Sequence, residues 1–249
     1  MHGPAEYINS EKFPLDRPDS DDWKSLVDQC KSSLEETGAC ILRDFVHLLT
    51  LERMTQEADQ SIHQSHFCKD NHNVFFEDDD NSLSVDHPLR IREDTSLNSI
   101  PYDLIDSQDA LHQLYNWDPL MNFLSSVLGH TLYRMADPMA ALTVNCMIEG
   151  QNHGWHYDES QVTITLLIQK PDEGGLFQCV PDLRKNDSDN YKGYTKNVFG
   201  SSGVINVLMI SPKLNVKFEY LDSIRGPDDT YKKMYNRVSS DISTPKKLL

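Results

Sequence analysis

Two side chains two residues apart, His156 and Asp158, carry the sharpest chemical signal in this sequence. On extended backbone, residues i and i+2 point to one face, so an imidazole nitrogen and a carboxylate oxygen can reach a single metal ion. That pair supplies two donors of the facial arrangement that holds non-haem Fe(II) with coordination positions left open. The spacing alone is weak, because a lone histidine is more often a hydrogen-bonded structural residue. His63, His66, Cys68 and His72 form a second group, but they lack the spacing of zinc motifs and read as surface or capping side chains. The acidic run Glu77-Asp78-Asp79-Asp80 lacks the EF-hand spacing and reads as a solvated loop. The sequence has no HExxH, no G-x-S-x-G and no phosphate-cradling glycine loop.

The bulk properties narrow the setting. The chain has 249 residues, enough for one substantial core, and a formal net charge of −16. Such an acidic surface repels phosphate backbones and anionic lipid, which argues against nucleic-acid and membrane partners. The longest wholly apolar runs are only a few residues, such as Leu166-Leu167-Ile168, too short to span a bilayer, and the first twenty residues carry Glu6, Glu11, Asp16 and Asp19 without an apolar core. The five cysteines, Cys30, Cys40, Cys68, Cys146 and Cys179, form no CxxC pair. Reduced thiols in a cytoplasmic protein are the expectation.

The elements that must position the pair follow from periodicity. Residues 1–18 hold three prolines and no clear period, so they read as a flexible arm. A single domain is expected over 19–237, helical over 19–129 and β-rich over 130–220, followed by a tail at 238–249. In the helical part, a cap at Asp19, Ser20 or Asp21 precedes Trp23, Leu26, Val27, Cys30 and Leu34 on one face, and Gly38 stops the helix. A second helix from Thr50 turns Leu51, Met54, Ala58 and Ile62 inward. Residues 67–98 lose all pattern, and so long a loop suggests a lid or binding loop. Shorter helices follow from Ser107 and from Asp118-Pro119, the latter closed by Gly129. Beyond Gly129 the pattern alternates, predicting strands over 132–135, 140–149, 162–168, 176–180 and 203–210.

A longer set of residues resembles a known family. Leu132-Tyr133-Arg134, Ala136-Asp137-Pro138, Asn145, Gly154-Trp155-His156-Tyr157-Asp158, Thr165-Leu166-Leu167-Ile168-Gln169 and Glu173-Gly174-Gly175 resemble the Fe(II)/2-oxoglutarate-dependent oxygenases. The similarity is to the branch of hydroxylases and halogenases acting on free amino acids. Asp86-His87-Pro88, Arg90, Arg92 and Tyr102-Asp103-Leu104-Ile105 extend it upstream, so that it covers about residues 86–194. The resemblance implies a mixed α and β fold, a double-stranded β-helix of jelly-roll or cupin-like form with an N-terminal helical buttress.

The roles it implies are specific. His156 and Asp158 match iron ligands. Asn145 and Thr165 match the co-substrate side, and His153 with Arg90 or Arg92 falls where the family grips a substrate α-carboxylate. The implied cofactors are Fe(II) and 2-oxoglutarate, with ascorbate as reductant, and the implied partner is a small molecule of the amino-acid class. Halogenating members carry glycine at the position of Asp158, so a carboxylate there implies hydroxylation.

The sequence departs from the family in one respect. All ten histidines lie at or before His156, so the later histidine that completes the iron site, and the arginine after it, have no counterpart. The closing strands are therefore expected to be incomplete, with roughly one hairpin absent or replaced after Tyr194. Asn215, Glu219 and Asp222 lack any spacing that would make them substitutes, and Arg225 and Arg237 stand outside the family's context. Three readings follow: an amino-acid hydroxylase, a non-catalytic descendant that binds a small ligand, or a differently spliced coding segment over 194–216. Sequencing full-length transcripts separates the third from the others.

Overall fold

The computed structural model describes residues 3–85, 87–157 and 162–171, and the backbone of six later strand segments at 176–180, 184–185, 188–189, 207–212, 215–219 and 235–243. Helix α1 (Asp21–Thr37) begins where the Ser20 hydroxyl accepts the Trp23 N–H at 3.2 Å. It ends where Gly38 adopts φ +72° and returns its N–H to the Leu34 carbonyl. Helix α2 (Leu48–Ser61) buries Leu51, Met54 and Ala58. Two further helices follow, α3 (Ala110–Tyr115) and α4 (Asp118–Leu128), and Gly129 at φ +74° stops the second. Among the described residues, no helix is long and apolar enough to cross a membrane.

Thirteen strand segments are described. In chain order they are β1 (Cys40–Arg43), β2 (His66–His72), β3 (Glu93–Ile100), β4 (Tyr133–Arg134), β5 (Leu142–Met147), β6 (His153–Tyr157) and β7 (Val162–Gln169). There follow β8 (Leu176–Val180), β9 (Arg184–Lys185), β10 (Ser188–Asp189), β11 (Val207–Pro212), β12 (Asn215–Glu219) and β13 (Tyr235–Ser243). The larger sheet runs β1-β11-β7-β13-β5-β3-β2, with β4 on β13; a smaller one runs β6-β12-β8, and among the described strands β9 pairs with β10 alone. All these pairings are antiparallel.

Period-two alternation sorts the larger sheet into two faces. Leu142, Val144 and Cys146 of β5 and Val162, Ile164, Leu166 and Ile168 of β7 join the main core with residues of all four helices. The intervening Asn145, Thr163 and Thr165 are also buried, on the opposite, more polar face. Burial pushes the Cys146 thiol up to about 12, so it stays protonated as a packing group.

Three expectations are corrected here. Residues 3–18 are no flexible arm: Tyr7, Ile8, Phe13 and Leu15 are buried in the core, Ile8 bridges Val46, and Phe13 packs on Phe45. Their apolar positions lack a period because the segment packs through short turns rather than one helix face. Residues 67–98 contain a hairpin, β2 with β3, so strands of the expected helical half belong to the larger sheet. The expected tail contains most of β13, which lies between β5 and β7.

A polar knot ties the helices together. Arg53 of α2 reaches Glu57 at 2.6 Å, the Gln108 carbonyl at 2.5 Å and the Tyr7 hydroxyl at 3.2 Å. Glu57 in turn accepts the Ala110 N–H at 2.8 Å, so a side chain of α2 caps α3, whose own Asp109 makes no cap bond. Burial pushes the Glu57 carboxyl above its ordinary range, opposed by the Ala110 N–H and Arg53. In that window folding takes up a proton, so the stability contributed by this group falls as pH rises through it. Glu57→Ala is expected to cost about 1–2 kcal/mol in urea unfolding, while Glu57→Gln keeps the cap and flattens the pH slope.

Candidate functional site

The site is built at a corner. Strand β5 runs beside β3 with Asn145 opposite Ser99, and the chain then leaves the line at Ile148. Gly150 turns at φ +80°, and the buried Gln151 amide accepts the Ile148 N–H at 2.9 Å and the Asn98 side chain at 3.3 Å. Asn152 rejoins β3 through paired bonds with Ser96 at 2.7 and 3.1 Å. From there β6 leaves the larger sheet and pairs with β12 in the smaller one.

Gly154 makes this departure possible. A Cβ at that position would lie 2.9 Å from the Asp94 carbonyl and 2.8 Å from the Glu93 Cβ. The bare backbone instead donates its N–H to the Thr95 hydroxyl at 2.9 Å. Two residues on, His156 is 5% exposed, and its Nδ1 lies 2.8 Å from the Gly154 carbonyl. A carbonyl only accepts, so Nδ1 carries the hydrogen, and in the neutral ring Nε2 then holds the lone pair. Metal-binding histidines are commonly fixed this way.

The segment after β2 covers the site. Asn73, fully buried, accepts the Phe75 and Glu77 N–H groups at 3.0 and 3.2 Å and donates to the Glu77 and Leu89 carbonyls at 2.7 and 2.9 Å. The turn it holds puts Phe76 at φ +56°, a left-handed conformation that costs an L residue about 1–2 kcal/mol. The Phe76 ring lies 4.3 Å from His72 and 5.6 Å from His156, and Phe75 packs on Tyr157 at 4.9 Å. The Tyr157 N–H donates to the Val74 carbonyl at 2.8 Å, joining the turn to β6.

The remaining expected residues fall at distinct places. His153 stacks on His156 with ring centroids 4.1 Å apart. Asn145 accepts the Ser99 hydroxyl at 2.9 Å and stands four residues along β3 from the Thr95–Gly154 contact, on the order of 13 Å of strand. Thr165 shares the polar face with Asn145 but lies on β7, across β13. Arg90 donates to the Leu83 carbonyl at 2.9 Å, and Arg92 pairs with Asp79 at 2.7 Å, so both brace the covering loop. Asp158, Asp222 and Arg225 lie outside the described residues. On β12, Val216 stands opposite His156 and Asn215 opposite Tyr157 in the backbone register. Among the described residues, no three His, Cys, Asp or Glu side chains cluster for a metal.

The halogenase D family model matches residues 22–206, about three quarters of the chain. The chain belongs to the halogenase D family. No curated protein matches it. Solved structures similar to this halogenase D chain include AviO1 of Streptomyces viridochromogenes Tue57, at 12% identity and TM-score 0.56, covering 88% of this chain and 95% of that one. A prolyl-4-hydroxylase of Pseudomonas putida is similar at 10% identity and TM-score 0.54, covering 88% and 100%. An oxidoreductase of the 2OG-Fe(II) oxygenase family from Burkholderia pseudomallei shares 13% identity at TM-score 0.52, covering 87% and 90%. The family match and these neighbours make the chain a 2-oxoglutarate/Fe(II) oxygenase-like protein, as its resemblance implied.

Sequence reasoning missed Asn73, Phe76 and Thr95. The apolar island Val74-Phe75-Phe76 inside an acidic stretch was the available signal. Asn73→Ala strands the backbone groups that its amide satisfies. A loss of about 2–3 kcal/mol is expected, with the Tyr157 amide exchanging faster in native-state hydrogen exchange.

Proposed function

We propose that this halogenase D member is an Fe(II)/2-oxoglutarate-dependent hydroxylase of a small molecule, with a free amino acid as the substrate class. The observation that carries the reading is His156: buried at the β5–β6 corner, with Nδ1–H held by the Gly154 carbonyl and the lone pair on Nε2. That nitrogen fits one position of an iron site, and Asp158, two residues on, would supply the carboxylate. When bound, iron and 2-oxoglutarate supply the dioxygen chemistry that replaces a C–H with a C–OH.

The other residues bind and exclude. Asn145 and Thr165 lie on the buried polar face of the larger sheet, which we assign to the co-substrate side of a double-stranded β-helix formed by the two sheets. We assign the substrate carboxylate to His153, which stacks on His156, together with Arg90 or Arg92 of the covering loop. Phe76 and Phe75 keep water away from the imidazole and its neighbour Tyr157. A carboxylate at Asp158 fills the position that glycine leaves open in halogenating members, which favours hydroxylation despite the family's name.

A second reading has its own support. No histidine follows His156, and Val216 faces it on β12, so the chain also suits a non-catalytic binder of an amino acid or 2-oxoglutarate. The two readings part in one assay. The hydroxylase is expected to convert 2-oxoglutarate to succinate with Fe(II), ascorbate and at least one member of an amino-acid panel, and His156→Ala to lose this turnover. Absence of turnover, with metal-independent thermal stabilisation by either ligand, establishes the binder instead.

A further inference from the structure

We propose that Thr95 and His72 are positioning residues that fix the tautomer and orientation of His156 through the backbone of Gly154. The inference deepens the iron-site reading and rests on it for its functional meaning. His72 is 4% exposed, and its Nδ1 lies 2.9 Å from the Asn73 carbonyl, so Nδ1 carries a hydrogen. With the ring neutral, Nε2 accepts from the Thr95 hydroxyl at 2.8 Å. The Thr95 oxygen thereby turns a lone pair to the Gly154 N–H at 2.9 Å, and the Gly154 carbonyl receives Nδ1–H of His156 at 2.8 Å.

The order of donors and acceptors has one direction. Reversing the His72 tautomer would set a lone pair against the Asn73 carbonyl and turn the Thr95 hydroxyl from donor to acceptor toward the ring. Thr95 is also 4% exposed, so bulk water does not replace a lost partner. Gly154 is gripped on the side of its N–H by Thr95, and its lack of a Cβ sets the strand separation. The carbonyl lies in the next peptide plane, whose Trp155 N–H donates to the Glu93 carboxylate at 3.4 Å. Both planes at Gly154 are thus anchored to β3, and the carbonyl so oriented decides which His156 nitrogen bears the hydrogen. The same Asn73 that ends the relay organises the aromatic turn, so the covering loop and the imidazole share one hydrogen-bonded frame.

The experiment compares Thr95→Val, which removes the hydroxyl, with Thr95→Ser, which keeps it. The first readout is the His156 tautomer in metal-free, histidine-15N-labelled protein, from long-range proton–nitrogen correlation spectra. Wild type and Thr95→Ser are expected to show Nδ1–H, and Thr95→Val a mixture of both tautomers. The second readout is Co(II) binding by visible absorption, expected to weaken roughly tenfold in Thr95→Val and to recover in Thr95→Ser. A Thr95→Val protein of lowered Tm that keeps both the wild-type tautomer and Co(II) affinity overturns the proposal, because the hydroxyl is then merely structural. If Thr95→Val does not fold, His72→Phe removes the acceptor at the next link, and an unchanged His156 tautomer there overturns it equally. Failure of the wild type to bind Co(II) sinks the iron-site reading, while the tautomer comparison still decides the relay.

Discussion

The close approach of the Gly154 backbone to β3 is the constraint on which the site depends. Without a side chain there, β6 lies against Glu93, Asp94 and Thr95 and then swings to its partner β12. Any larger residue meets a backbone carbonyl, which cannot rotate away as a flexible side chain would. The position of His156, the aromatic turn over it and the stacking of His153 all follow from where β6 is allowed to lie. Nothing comparable constrains Arg90 and Arg92, which are fastened within their own loop.

The two faces of the larger sheet divide the labour. The aliphatic positions of β5 and β7 fasten the helices, and the alternate positions present Asn145, Thr163 and Thr165 as a buried polar surface. Buried hydroxyls and amides cost free energy unless they find partners. A row of them opposite a hydrophobic core therefore has to be matched by hydrogen-bonding partners on that face. The similar solved structures, at 10–13% identity, share the fold alone, so any chemistry rests on the side chains of this chain.

Local signals in the sequence were strong where the physics is local. Ser20 and Gly38 bound α1 within a residue of expectation, Gly129 ends α4, and alternation marks β7 and β8. The hairpin of β2 and β3 was not legible, because β2 is an edge strand with exposed residues at most of its positions. Such a strand shows no alternation, since neither face is consistently buried. The N-terminal segment escaped for a related reason: its buried Tyr7, Ile8, Phe13 and Leu15 are spaced by turns. At the candidate site, the spacing to Asp158 drew attention to His156. His72 and Thr95 were not legible, because they meet across a strand pair at a separation of 23 residues, and no local pattern encodes such a meeting.

Strand β13 has a bearing on how the molecule is made. Among the described strands it lies between β5 and β7 and pairs with both, so within the sheet it joins β1, β11 and β7 on one side to β5, β3 and β2 on the other. Residues 142–169 leave the ribosome well before residues 235–243. Two facing strand edges must therefore wait, with unpaired N–H and carbonyl groups, for a strand synthesised later. Such non-local closure slows folding and leaves a nascent chain open to pairing with the wrong edge. The order of synthesis therefore makes residues 235–243 the piece that closes the sheet last.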